Sequence, residues 1–431
     1  MSRKKNDIPV FRYENKNRNK SKEKGKGNIF NDLDNRMNNQ NNEFIKIIPL
    51  NNKEKQNDNI FFPPSLTTMI DAIIKNEPNK NDILESDKIF NILDSVKYDE
   101  INLNINTLDE LIKFGKLPSK GKVYPFDINK LKNIVPTLDK LSKFIGMDNV
   151  KKSIILQVLY FLQDFEECDD MMHTVITGPP GVGKTMLAFV LGEIYYKLGV
   201  VKKIKGKKFF KSPLNEKEID FKFRIAKRSD LIGEYVGHTA IKTQKVIDES
   251  LGGVLFIDEA YSLGNEDKKD IYSKECIDTI NQNLTEKKGE FVVIIAGYEN
   301  DLETCFFNYN DGLRRRFPFR YEISPYNHEE LGRIFLDKVK SLKWKLDGNL
   351  NMDKDGILYN FFKDKYKYFK NYGGDMETLL FSCKICHSKR IFGKDPKLRK
   401  TLSFIDIEKG FENFREYKKI NDNVSLINLY I

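Results

Sequence analysis

The sequence predicts an α/β fold: a three-layer αβα domain on a parallel sheet around a phosphate-binding loop, with a C-terminal α-helical lid and a disordered N-terminal arm. Three observations carry this expectation. Residues 178–185 read GPPGVGKT, between the apolar run HTVIT and the helically spaced LAFVLGEIYYKLG. From about residue 137, short apolar strands alternate with helical stretches, the pattern of a parallel sheet covered on both faces. After about residue 323 the strands stop and helical spacing continues alone, as in HEELGRIFLDKVKSLKW and METLLFSCKICHSKRIF.

In chain order, residues 1–60 are rich in Asn and Lys with few apolar clusters, so they cannot bury enough surface to offset the entropy of ordering. This arm holds 14 Lys and Arg against 8 Asp and Glu, which places most of the chain's formal net charge of +10 there. Such an arm suits non-specific attraction to nucleic acid or acidic surfaces, although a solvated tail is the simpler reading and the preferred one. Residues 61–118 read as a small helical module, through SLTTMIDAIIKNE and INTLDELIKFGK. Residues 119–136, within LPSKGKVYPFDINKLKNIVP, read as a linker because of their prolines and lysines. The nucleotide-binding core is expected over 137–322, the lid over 323–420 and a tail over 421–431. The core strands are HTVIT, FKFRIA, GGVLFID, FVVIIAG and FRYEI.

Composition excludes several classes. No apolar run approaches the ~20 residues needed to span a bilayer, and the start MSRKKNDIPV has no hydrophobic signal core. A cytoplasmic location is therefore expected, with the nucleus or a virion left open, and no membrane partner. Five cysteines, sparse and odd in number, fit reduced thiols.

GPPGVGKT fulfils the full G-x-x-x-x-G-K-[ST] pattern. Its glycines let successive N–H groups of Gly178, Pro179, Pro180, Gly181, Val182, Gly183 and the residues through Met186, proline excepted, turn toward phosphate oxygens where a helix begins. Lys184 then reaches the β- and γ-phosphates, and the Thr185 hydroxyl can ligate Mg²⁺. A second element supports ATP and Mg²⁺ as the ligands. GGVLFIDEA ends an apolar strand with Asp258 and Glu259, and adjacent buried carboxylates are costly unless a cation or hydrogen bonds compensate them. Asp258 is the metal-side residue, and Glu259 is suited to orient and deprotonate the attacking water.

These motifs, with DLIGEYVGHTAIKT and AGYENDLETCF, resemble the AAA+ ATPases of the CbbX/CfxQ and SpoVK-like branch over roughly residues 137–395. GGDMETLL in an Asn/Lys-rich chain resembles homologues in large DNA viruses. The resemblance implies a ring, expected to be a hexamer, in which Tyr235, Val236 and Gly237 line a central pore and grip a protein chain. It implies that Arg316 of NDGLRRRF acts in trans on a neighbour's γ-phosphate, with Arg314 and Arg315 as alternative inter-subunit contacts. It further implies adenine contacts from Ile145 and Gly146 in FIGMDNVK, and a γ-phosphate sensor at Tyr298 or Glu299. The sequence departs from the family where NYGGDMETLL carries no Arg or Lys, which leaves the lid's second sensor in doubt, and in the basic insert VKKIKGKKFFKSPLNEKEID.

Two local patterns are set aside. CKICH imitates haem attachment but lies in an expected lid helix with no further ligand pair nearby, so its cysteines should pack as small hydrophobes. NMDKDGILYNFF imitates a calcium loop, yet position twelve is Phe362 where coordination needs Glu, so a turn is expected. The leading expectation is an ATPase that remodels or threads protein. The rivals are a ring acting on nucleic acid and an ATP-gated scaffold with little turnover.

Overall fold

The computed structural model describes residues 105–118, 124–163, 171–201, 210–212, 214, 218–235, 237–267, 269–348 and 350–427. The chain divides into units 1–59 and 60–431, and the described residues all belong to the second. The expected arm, the helical spacing of 65–77, Cys168, Val236, most of the basic insert and residues 428–431 lie outside the described residues.

Strands β1 (Thr174–Thr177), β2 (Lys222–Ala226), β3 (Gly253–Ile257), β4 (Val292–Gly297) and β5 (Phe319–Glu322) form one parallel sheet in the order β2-β3-β4-β1-β5. Each coincides with one of the five apolar runs. The inner strands β1, β3 and β4 are buried along their whole length, which is why they are apolar on both faces instead of alternating. Consecutive residues serve opposite layers. Val254 and Phe256 join the core that also contains helices α1 (Leu108–Lys116), α2 (Ile128–Ser142), α3 (Asp148–Leu162) and α4 (Lys184–Leu198). Leu255 and Ile257 face the core formed with α5 (His238–Ser250), α6 (Ile271–Glu286), α7 (Glu299–Cys305) and α8 (Asp311–Arg315).

Three expectations about boundaries are corrected. The stretch expected as a linker over 119–136 contains the first half of α2, capped by the Asp127 carboxylate on the N–H groups of Asn129 and Lys130. Pro136 sits inside this helix. Burying Leu131, Ile134, Val135, Leu138 and Leu141 outweighs the ~3 kcal/mol an internal proline costs. Second, α1 is not part of a separate module, because Leu111 and Phe114 enter the same core as α2. Third, the last helix runs to Ile427, through the expected boundary at 420. The described part of the insert pairs Phe210–Lys211 antiparallel with Glu218–Ile219, as a hairpin. Buried Glu193 of α4 accepts hydrogen bonds from Thr137 Oγ1 (2.9 Å), Lys140 Nζ (2.8 Å) and Lys197 Nζ (2.8 Å), so α2 is fastened to the helix that follows the phosphate loop.

The lid comprises α9 (His328–Ser341), α10 (Ile357–Lys365), α11 (Tyr372–Ile391) and α12 (Phe404–Ile427) around Phe335, Phe362, Phe369, Phe411 and Phe414. Phe362, the residue that ends the calcium-like pattern, is buried in this core, and Asn351 to Gly356 form a turn. Cys383 of CKICH is buried in the α11–α12 packing, while Cys386 accepts a hydrogen bond from Asn413. His387 is held by Asp406 at 3.0 Å, and among the described residues no His, Cys, Asp and Glu cluster suited to a metal occurs. Nor is any described helix long and apolar enough to cross a membrane.

Asp406 anchors the lid's lower end. Burial alone would raise its pKa, but hydrogen bonds from Arg390, the Ser403 N–H, His387 and the Ser403 hydroxyl hold it down, from 3.8 to about 2. A carboxylate depressed on folding stabilises above its unfolded pKa and loses that contribution as pH falls through the folded value. Asp406→Asn should therefore cost about 2 kcal/mol at neutral pH. It should also flatten the loss of stability as the solution is taken from pH 3.8 to about 2, as followed by urea denaturation at each pH.

Candidate nucleotide site

The phosphate loop leaves the C-terminal end of β1 and enters α4 through Gly183, whose φ of +94° is left-handed and whose position provides no side-chain cap. The first-turn N–H groups of α4 thus point outward without a side-chain acceptor, which is the arrangement that binds phosphate at a helix start. Gly181, also at positive φ, lies against the lid. A Cβ there would sit 2.0 Å from Asn371 O, and Gly181 O accepts the Gly373 N–H at 3.0 Å. The start of α11 therefore rests directly on the loop.

Lys184 Nζ donates to Gly178 O and Pro179 O, both at 2.9 Å, and lies 5.3 Å from the centre of the Tyr298 ring. Burial pushes its pKa down, opposed by the nearby Asp258 and Glu259. Next to it, Thr185 Oγ1 donates to Asp258 Oδ2 at 3.1 Å, so the end of β3 and the start of α4 meet across one hydrogen bond. A hydroxyl and a carboxylate oxygen side by side at a phosphate loop are the hard donors Mg²⁺ takes. Glu259 follows at φ 51°, ψ 45°, a left-handed conformation that costs a non-glycine residue about 1 kcal/mol or more and clusters at functional sites.

Lys184, Thr185, Asp258 and Glu259 line one cavity of about 990 Å³ with Pro180, Gly181, Val182, Gly183 and Met186. Gly178 and Pro179 stand behind it as acceptors for Lys184. Of the two residues expected at adenine, Ile145 lines the cavity, whereas Gly146 lies behind it against Glu330 and Tyr326. Of the two sensor candidates, Tyr298 lines the cavity; Glu299 opens α7 and does not.

Other cavity residues went unread in the sequence. Phe144 and Lys143 arrive from the end of α2, Tyr261 from the turn after Glu259, and Tyr326 from the lid entrance, where its hydroxyl donates to Val182 O at 2.7 Å. NYGGDMETLL supplies no Arg or Lys at the start of α11, yet Ile334, Asp337, Lys338 and Ser341 face the cavity from α9 and Lys338 pairs with Glu377 of α11. Their i, i+3, i+4, i+7 spacing was the available signal.

Arg316 stands apart from this cavity. Its guanidinium donates to Thr285 Oγ1 (3.0 and 2.9 Å) and Gly312 O (2.8 Å) at the far side of the domain. Arg314 pairs with Glu303, while Arg315 is exposed. Tyr235 is 65% exposed, its ring 5.6 Å from that of His238 at the start of α5, and Gly237 beside it is at φ +84°.

A five-stranded parallel sheet with a phosphate loop after β1 and an acid pair after β3 defines a P-loop nucleotide-binding protein, and residues 174–325 match the family model described as ATPase family associated with various cellular activities (AAA). The chain belongs to the AAA ATPases, in the branch of the CfxQ-like proteins. It is 44% identical over 338 residues to a cfxQ-like protein of Acanthamoeba polyphaga mimivirus, covering 77% of each chain. It is 30% identical over 263 residues to the CfxQ homolog of Galdieria sulphuraria, covering 59% of this chain and 76% of that one. Against stage V sporulation protein K of Bacillus subtilis it is 33% identical over 214 residues, 48% of this chain and 61% of that protein.

Proposed function

We propose that this protein is a ring-forming ATPase whose task is the remodelling or threading of a protein chain, with each hydrolytic site completed by Arg316 of a neighbour. The observation that carries the reading is the split between the two halves of the chemistry: Lys184, Thr185, Asp258 and Glu259 share one cavity, and Arg316 lies outside it. A guanidinium outside its own subunit's cavity supports the reading that it acts on a neighbour's phosphate.

Within one subunit, the α4 N–H groups and Lys184 would hold the triphosphate, and Lys184 would exchange its carbonyl acceptors for phosphate oxygens. Thr185 and Asp258 would hold Mg²⁺, which supplies charge neutralisation at the β- and γ-phosphates. Glu259 orients water and takes its proton, and the lid start at Gly373 closes over the loop. Tyr298, against Lys184, is positioned to register whether the γ-phosphate is present. Hydrolysis then drives the Tyr235 loops, whose exposed aromatic rings pack on a polypeptide without reading its sequence.

Tyr235→Ala tests the substrate class. The variant should bind ATP and hydrolyse it at the basal rate, but lose the stimulation that unfolded casein gives the unaltered protein. Stimulation by single-stranded DNA with a steep salt dependence, and none by casein, would replace the protein substrate with nucleic acid.

A further inference from the structure

Glu303, outside the nucleotide cavity, joins two arginines. Its carboxylate receives Arg314, which precedes the exposed Arg315 and the donated Arg316, and Arg320 of β5 at 2.7 Å. Arg320 also lies over the Phe307 ring at 4.7 Å, so the second partner is itself held in place. The arginine run is otherwise fixed from beneath by buried Leu313 and Phe317 and from one side by the bond between Arg316 and Thr285. Glu303 fixes the other side.

The helix that carries Glu303 has a second connection. α7 begins immediately after Tyr298, whose backbone carbonyl accepts the Leu302 N–H and whose ring faces Lys184 inside the cavity. Seven residues of helix span about 10 Å. One short rigid element thus has its first turn at the phosphate-binding lysine and its last turn at the base of the arginine run.

We infer that Glu303 is a positioning residue for the arginine that one subunit presents to the next, seating α8 through Arg314 so that the Arg316 guanidinium is offered in a geometry tied to the donor's own nucleotide site. This rests on the trans role of Arg316. Both of Glu303's ion pairs are partly exposed, and such pairs contribute little to global stability, so Glu303→Gln should fold. A displacement of the guanidinium by even 1 Å is costly to the reaction.

The test uses ATP turnover in mixtures of full-length variants that are allowed to exchange subunits. Glu303→Gln alone should bind ATP with unchanged affinity and turn it over about 10- to 100-fold more slowly. Mixed with Glu259→Gln, whose arginine is intact, it should regain turnover, because its own site is sound and receives a proper donor. Mixed with Arg316→Ala, which has a sound site but no arginine, it should regain nothing. Native turnover by Glu303→Gln, recovery with Arg316→Ala, or silence with Glu259→Gln would each overturn the assignment. The mixture of Arg316→Ala with Glu259→Gln must recover. If it does not, the trans role itself fails, a result distinct from any shown by Glu303→Gln, and the positioning role falls with it.

Discussion

Glu259→Gln should bind ATP as the unaltered protein does and lose turnover by about 10²- to 10⁴-fold, the usual worth of a general base. The substitution keeps the size and hydrogen-bonding shape of the side chain and removes its basicity. Binding should survive because the groups suited to the triphosphate are elsewhere, on the start of α4 and at Lys184. The local fold should survive too. The left-handed backbone at 259 is sustained by its surroundings, with Glu259 O accepting the Ser262 N–H at 2.8 Å, and Gln adopts it at no greater cost than Glu. Nucleotide titration by calorimetry and phosphate release under saturating ATP check the two halves separately. Hydrolysis at the native rate would remove Glu259 from its role, and loss of binding together with turnover would show that the residue shapes the pocket.

The parts of this site that were legible in the sequence are those whose chemistry is local in the chain. GPPGVGKT announces itself because the loop's backbone, its lysine and its hydroxyl are consecutive, and Asp258–Glu259 because an acid pair ends an apolar strand. The five strands were legible for a related reason. A strand buried on both faces needs an unbroken apolar run, and each run is bounded by polar residues. What the sequence concealed depends on contacts between distant segments. α2 was hidden by Pro136, since local propensity counts the proline against a helix and cannot count the burial of Leu131 and Leu138 in its favour. Lys338 was half hidden: its spacing from Ile334, Asp337 and Ser341 puts the four on one face of α9, but that this face meets the cavity follows from how the helix packs. The bond between Arg316 and Thr285 joins residues 31 positions apart, and nothing near either one signals the other.

Arg316→Ala should retain ATP affinity and lose about 10³- to 10⁵-fold in turnover at protein concentrations where the unaltered chain is assembled, the range seen when a trans arginine is withdrawn from phosphoryl transfer. Concentration is the decisive variable. If a neighbour completes each site, turnover per subunit of the unaltered protein should climb as concentration rises and subunits associate, while that of the variant stays flat. An ATP-gated scaffold would show no climb in either. The side chain is already oriented, with donors committed to Thr285 Oγ1 and Gly312 O, so little rotamer freedom remains to be lost when it meets a phosphate. Those same bonds supply a control. Arg316→Lys keeps the charge but forfeits the planar fork that reaches Thr285 and Gly312 together, and should recover only a small part of the loss. Full activity in Arg316→Lys would reduce the requirement to positive charge alone, and full activity in Arg316→Ala at every concentration would leave the hydrolytic site complete within one subunit.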